Sequence, residues 1–171
     1  MDRLTLLENA IASVLVDIDG TLQGSGYAYK TVTGQVDVDE DVLATAKNLF
    51  KTDINHTITQ GDGEEENIEW GLAQNIYTNS LLYTITSQIK LDGDEAKTRR
   101  SAVTKCNEVL SDIKYAFFKF HTLGKECNFV KYVSSRKNIA TNGNLINSAQ
   151  LITIIELNYS QSMKNPDIIA C

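Results

Sequence analysis

Residues 14–22 read Val-Leu-Val-Asp-Ile-Asp-Gly-Thr-Leu, and the fold depends on whether this stretch is a strand or the end of a helix. A strand followed by a loop would bring Asp17 and Asp19 together. One carboxylate could then attack phosphorus and the other protonate the leaving group, with both near a magnesium ion. A helix would turn the two side chains about 200° apart, so that they could not converge on one substrate.

The apolar residues around this stretch favour the helix. They recur at steps of three and four residues, which is the spacing of one helical face: Leu4, Leu7, Ile11, Val14, Leu15 and Ile18. Gly20, Gly24 and Gly26 then predict that the helix ends in a turn. We therefore predict an N-terminal amphipathic helix and interpret the two aspartates as part of its end.

Alternating apolar and polar residues predict strands later in the chain, at residues 53–60, 77–91 and 151–159. The last of these is apolar on both faces in its first half, which indicates a central or near-central position in the sheet. Residues 126–135 predict a further strand. The polar, asparagine-rich residues 139–149 predict a loop.

The clearest helix is predicted over residues 95–120. Its apolar stripe comprises Val103, Cys106, Val109, Leu110, Ile113, Ala116, Phe117 and Phe120. A shorter helix is predicted over residues 42–50. Because helices do not alternate with strands, we predict one α+β domain over residues 1–171, in which a mostly antiparallel sheet packs against the N-terminal helix and the long central helix.

The composition argues against several classes of protein. A net charge of −6 gives no basic footprint for gripping nucleic acid. We expect no signal peptide, because a basic n-region and a clean apolar h-region are missing, and no apolar run approaches the roughly 20 residues of a membrane span. The three cysteines are widely spaced and the two histidines have no partner at ligand spacing, so we expect neither a disulfide framework nor a metal site.

Residues 14–22 nevertheless resemble the first motif of the haloacid-dehalogenase-like phosphatases, in which Asp17 would be the nucleophile and Asp19 the acid/base. That family needs a parallel sheet with helical crossovers, and the predicted elements lack this alternation. The next acidic candidate, Gly61-Asp62 with Glu66, follows after only about 45 residues, too few for several βα units of about 30 residues each. A small magnesium-dependent phosphatase is therefore the alternative hypothesis.

Several segments spread over the chain carry a second resemblance. They are Gly26-Tyr27-Ala28-Tyr29, the acidic Gly63-Glu64-Glu65-Glu66, residues 77–85, Leu110-Ser111-Asp112-Ile113-Lys114-Tyr115-Ala116, and Ile155-Glu156-Leu157-Asn158-Tyr159 with Asn165-Pro166. Together they resemble the tail terminator (tail completion, minor tail) proteins of long-tailed bacteriophages over nearly the full length. One departure is Lys51-Thr52-Asp53, where such chains often carry a proline before the first core strand.

The resemblance implies an α+β subunit that assembles, typically as a hexameric ring, on the head-proximal end of the tail tube. Such a ring stops tube polymerisation and joins the major tail tube protein to the head-completion or neck proteins of the virion, whose parts are made in the host cytoplasm. The resemblance implies no enzyme activity and no cofactor, and from the residue patterns above we expect no metal site and no membrane association. DNA would pass through the lumen without specific binding, which an acidic lumen would favour.

Two segments are predicted to make the contacts of such a ring, because both are long and poor in apolar residues that would tie them to their own core. Residues 27–38 predict an extended, hairpin-like arm with a turn near Gly34, and residues 60–72 predict an acidic loop. The candidate interface residues are Tyr27, Tyr29, Asp62, Glu64, Glu65, Glu66 and Trp70. Surface loops without a partner, and a core position for Trp70, are equally compatible alternatives.

Overall fold

The structure is a computed structural model that describes residues 3–24, 26–38, 53–61, 69–71, 76–142 and 145–162. Within these residues the helices are α1 (Arg3–Val16) and α2 (Arg99–Lys119), and short 3-10 turns, Gly93–Ala96 and Leu123–Lys125, flank α2. The strands are β1 (Gln35–Val38), β2 (Ile54–Gln60), β3 (Glu69–Gly71), β4 (Ile76–Lys90), β5 (Phe129–Asn142) and β6 (Leu145–Ser162). The predicted α+β class is confirmed.

Helix α1 confirms the helical interpretation as far as Val16, whereas Asp17 and Asp19 lie beyond its end, so the separation of about 200° expected on a helix does not apply to them. It ends at Val16, and the backbone N–H of Ile18 closes its last turn by donating to the carbonyl of Leu15 at 3.2 Å. The predicted apolar face is buried at Leu7, Ile11, Val14, Leu15 and Ile18. Gly20 then reverses the chain at φ +78°, with Val32 Cγ2 only 3.1 Å from the place a Cβ would occupy. Any larger residue at position 20 would therefore be strained.

The sheet has the strand order β1-β2-β4-β6-β5, and β3 pairs with β4 beyond the end of β2. Neighbouring strands are antiparallel except β1 and β2, which are parallel. Strands β4 and β6 pair along their length, from Ile76 opposite Ser162 to Lys90 opposite Ser148. The mostly antiparallel sheet and the near-central position of the last strand are thus confirmed.

One face of the sheet forms the core with both helices. Alternate residues of the two long strands are buried on that face: Leu81, Tyr83, Ile85 and Ile89 in β4, and Leu151, Ile155, Leu157 and Tyr159 in β6. Helix α1 contacts β1 and β2, whereas α2 contacts β5 and β6. Helix α2 begins later than predicted, because the Oγ1 of Thr98 accepts the N–H of Ser101 at 3.0 Å and caps it.

The loop predicted over residues 139–149 is wrong. Strand β5 continues to Asn142 and β6 begins at Leu145, with these two residues paired, so that a tight hairpin replaces the loop. Next to this range, Asn138 Nδ2 donates to Gln150 Oε1 at 3.1 Å across the same two strands, which shows that this pair of strands accommodates polar side chains. The Gly143-Asn144 pair between the strands is a known hairpin signal in sequence.

The hairpin predicted over residues 27–38 is also wrong. The chain turns earlier, where Gly26 has φ +79° and donates its N–H to the carbonyl of Gln23 at 2.9 Å. Residues 19–32 then form isolated bridges, Leu22 with Ala28 and Asp19 with Val32, and only β1 joins the sheet. A glycine that adopts the left-handed conformation sets the turn, and Gly34 does not.

Other predictions lie outside the described residues, namely the short helix over residues 42–50 and most of the acidic loop. In the part of the chain that the structure describes, neither helix has the length and apolar character to cross a membrane.

Candidate functional site

Asp17, directly after α1, is engaged within its own chain. Its Oδ2 accepts a hydrogen bond from Tyr29 Oη at 3.0 Å and forms an ion pair with Lys119 Nζ at 3.0 Å. Lys119, in the last turn of α2, also donates to Gln23 Oε1 at 2.6 Å. Burial, together with the hydrogen bond to Asp17, raises the pKa of Tyr29 well above its usual range, so its hydroxyl remains a donor.

Asp19 is exposed, and its side chain accepts hydrogen bonds from Thr21, two residues further along the chain. Its Oδ1 accepts the hydroxyl of Thr21 at 2.6 Å and the N–H of Thr21 at 3.0 Å. These two hydrogen bonds lower the pKa of Asp19, the hydroxyl most strongly. The arrangement is an Asx-type turn, which stabilises the reversal after α1. The two aspartates thus have different partners, and the described residues hold no cluster of three or more metal-ligating side chains.

Asp112 is the most heavily bonded carboxylate that the structure describes. It is fully buried in the middle of α2. Its Oδ2 accepts the N–H of Lys30 at 2.9 Å, the N–H of Thr31 at 2.8 Å and the hydroxyl of Thr31 at 2.7 Å, while its Oδ1 accepts Tyr27 Oη at 2.8 Å. A buried carboxylate needs such donors, so Asp112 holds residues 27–31, here called the arm, against α2.

Aromatic contacts complete this attachment. Tyr27 stacks on Tyr115 of α2 with ring centroids 4.1 Å apart, and Tyr29 lies edge-on to Tyr27 at 6.0 Å and to Tyr115 at 5.9 Å. Burial, with the hydrogen bond to Asp112, raises the pKa of Tyr27 to about 12. Three tyrosines and one carboxylate therefore fix the arm in a single position.

The sequence analysis did not single out Asp112 for this role, although a signal was present. Asp112 follows Val109 by three residues and precedes Ala116 by four, so it lies on the apolar stripe predicted for the helix. An aspartate on that face predicts a buried carboxylate that needs several donors. The identity of those donors could not be read from the sequence, because Tyr27 is 85 residues away in the chain.

The candidate interface residues lie in different situations. Tyr29 is only 3% exposed and Tyr27 is half-buried, which corrects the premise that the arm is poorly tied to its own core. Trp70 lies in β3, where it pairs with Tyr77 of β4. The acidic candidates lie outside the described residues: Asp62, Glu64, Glu65 and Glu66. Contact of any of these residues with a neighbouring subunit stays a prediction.

His56 is a buried titratable group away from the arm. Its Nδ1 lies 2.8 Å from Ser87 Oγ and its Nε2 lies 3.2 Å from Thr33 Oγ1. Burial lowers the pKa of His56 to about 4, so the ring is neutral near pH 7. Because both ring nitrogens lie within hydrogen-bond distance of hydroxyl groups, we interpret His56 as a structural residue of the sheet.

Two clefts lie near the helices, one between α1 and the residues that follow α2, and one beside α2 itself. One, of about 490 Å³, lies beside α1 and includes Ala10, Ser13, Asp17 and Phe120 in its wall. The other, of about 340 Å³, lies between α2 and β5, with Phe118 and Tyr132 among its lining residues. Thr153 lines the second cleft, and its buried Oγ1 has no hydrogen-bond partner among the described residues.

No protein-family model matches the chain, and no curated protein matches it. The functional conclusion therefore depends on the geometry around α2 and on the sequence segments named above.

Proposed function

We propose that the chain is a structural virion protein of the tail terminator type, with no enzyme activity. It caps the head-proximal end of a phage tail tube, stops tube polymerisation and joins the tail to head or neck proteins, as a ring of several copies and most simply as a hexamer. The observed α+β class agrees with what the resemblance implies for such a subunit.

The observation that carries the proposal is a contact between two segments of the resemblance. Asp112 and Tyr115 belong to the motif in α2, and both hold Tyr27, which belongs to the Gly-Tyr motif of residues 26–29. Tyr27 and Asp112 are 85 residues apart in the chain. Two short sequence motifs that contact each other in the fold support the resemblance better than two motifs that lie apart.

The same contact suits a scaffold role. The carboxylates around the arm are engaged by hydroxyl, amide and ammonium donors of their own chain. Such an arrangement stabilises one conformation of the surface after α1 and presents no free nucleophile beside a general base. A subunit that binds a tail tube on one side and a neck protein on the other benefits when its contact surfaces keep one conformation.

Tube polymerisation tests the proposal. The major tail tube protein encoded in the same genome is allowed to polymerise alone, with this chain, and with an unrelated acidic protein of equal charge, and the tubes are measured by negative-stain electron microscopy. We expect this chain alone to shorten the tubes and to appear as a ring at one end. Equal tube lengths in all three samples contradict the proposal.

The phosphatase alternative requires its own assay. We expect no magnesium-dependent hydrolysis of an aryl phosphate by the purified chain, and no difference between the wild type and Asp17→Asn, since Asp17 is paired with Lys119 and Tyr29. Turnover that requires magnesium and disappears in Asp17→Asn would establish the alternative in place of the scaffold role.

A further inference from the structure

We infer that the two outer edges of the sheet are complementary surfaces, by which copies of this chain associate head to tail. The β5 edge of one copy contacts the β1 edge of the next. This assigns contact surfaces to the proposed ring and so rests on the proposed function.

Strand β5 is an open edge. It pairs with β6 on one side, and no described strand lies on its other side. Residues 129–141 are all at least partly exposed, including the large apolar side chains of Phe129, Tyr132 and Val133. A long edge strand with exposed aromatic residues is a surface that another chain can cover.

The charge of the chain is divided between two parts. Residues 97–137, which include α2 and most of β5, carry ten Lys and Arg against three Asp and Glu, a net charge of +7. The remaining residues carry six Lys and Arg against nineteen Asp and Glu, a net charge of −13. The total charge of −6 is thus the sum of a basic part and a more strongly acidic part, and the basic part of one copy can attract the acidic part of another.

Basic and apolar groups are combined at the β5 edge. Lys114 Nζ lies 4.0 Å from the centre of the Tyr132 ring, and Arg136 is exposed on the strand. Beside them is the 340 Å³ cleft, next to which Phe118 is 77% exposed. Such a surface fits a partner that brings both carboxylates and small apolar side chains.

The opposite edge of the sheet has those two features. Strand β1 carries Asp37, and β2 is preceded by the exposed Asp53. Val38, the last residue of β1, is an exposed apolar side chain. The β1 edge is therefore acidic and apolar where the β5 edge is basic and apolar.

Opposite charges on opposite edges favour a second copy as the occupant. A contact between two different surfaces of the same chain is heterologous, and it generates rings when the rotation closes. The β5 edge also carries Lys131 and a β-bulge between Tyr132 and Ser134, which discourage pairing with arbitrary strands. A nucleic acid would also fit basic and aromatic groups, but it would be repelled by the larger acidic part.

Charge reversal tests the contact. The basic-edge variant combines Lys114→Glu and Arg136→Glu, and the acidic-edge variant combines Asp37→Lys and Asp53→Lys. Each variant alone should associate about tenfold more weakly or worse, because like charges then face each other. All four substitutions in one chain should restore association. A 1:1 mixture of the two variants should also associate, with the two variants in alternation, because each contact between unlike variants then joins opposite charges.

The measurement is the mass of the complexes by sedimentation velocity and light scattering, from low micromolar to near-millimolar protein and at two salt concentrations. Circular dichroism verifies that every variant is folded. Arg100→Glu with Lys125→Glu is the matched control, because it changes the charge as much as the basic-edge variant and neither residue lies in β1 or β5. Wild type and control should associate alike, and both should weaken as salt is added.

Three results overturn the inference: a wild type that stays monomeric throughout, edge variants that associate as strongly as the wild type, or a combined variant that is not restored. Binding of a single-stranded DNA oligonucleotide that is lost in the basic-edge variant, while self-association is unchanged, also overturns it. If the edge variants still form rings that cap tubes, the edges are wrong and the proposed function stands. If reversal abolishes association but the wild type does not cap tubes, the function is wrong and the edges stand.

Discussion

Replacing Asp112 by alanine should strongly destabilise the protein. The carboxylate is fully buried and accepts four hydrogen bonds, two of them from the backbone N–H groups of Lys30 and Thr31. Hydrogen bonds to a charged group contribute roughly 1.5–3 kcal/mol each and do not add fully, and buried donors left unpaired cost more than exposed ones. We therefore expect the free energy of unfolding to fall by about 3–5 kcal/mol.

Asparagine at position 112 should be much milder. An amide oxygen at the position of Oδ2 keeps the three donors from Lys30 and Thr31. The amide nitrogen then faces Tyr27 Oη, which can rotate its proton away and accept instead. Only the charge assistance is lost, so we expect a cost of about 1–2 kcal/mol.

Urea unfolding followed by circular dichroism measures both variants. Glu108→Ala is the matched control in the same helix, because Glu108 is half-buried and its nearest described cation, Lys105 Nζ, is 4.0 Å away. That control should cost less than about 0.5 kcal/mol. The reasoning is refuted if Asp112→Ala loses no more than about 1 kcal/mol, the value of an ordinary hydrogen bond, or if asparagine costs as much as alanine.

Three further predictions concern groups around the same core. The pKa of His56 is lowered from 6.5 to about 4. As the pH falls below 6.5, the unfolded chain takes up a proton before the folded chain does, so up to about 3 kcal/mol of stability should be lost between pH 6.5 and 4. Urea unfolding of His56→Gln over the same pH range should lack that loss. The pKa of Tyr27 is raised to about 12, so the stability that its hydroxyl contributes is present below pH 10 and lost as the pH rises towards 12. Tyr27→Phe should remove a late step from the tyrosinate absorbance titration, and an unchanged titration contradicts this. Gly20→Ala should cost about 1–2 kcal/mol because of the positive φ and the contact with Val32, and a neutral effect on the midpoint of urea unfolding would show that the turn relaxes.

Much of the fold could be predicted from periodicity, because the periodic elements bury one face. The spacing of apolar residues from Leu7 to Ile18 identified α1, and the alternation in β4 matched its burial pattern. The prediction was wrong where polarity was taken for a loop. Residues 139–149 contain few apolar residues and gave no clear alternation, although Ile146 and Ala149 are buried where β5 and β6 pair.

The candidate site was harder to predict, because its contacts join distant parts of the chain. Residues 27–38 were predicted to be an arm poorly tied to the core, although residues 27–31 are held against α2. Their attachment depends on Asp112, which is more than 80 residues away. Sequence spacing reveals which residues share a helix face, but it does not reveal which distant backbone donors a buried carboxylate will bind.

The central claim is that this chain sits at the head–tail junction of a virion. Immunogold labelling of phage particles from lysates, with an antibody raised against the purified chain and viewed by electron microscopy, measures that position. The account predicts one cluster of gold at the head-proximal end of each tail, and none along the tube or at its tip. Label that is absent from particles, or spread along the tube, would contradict it.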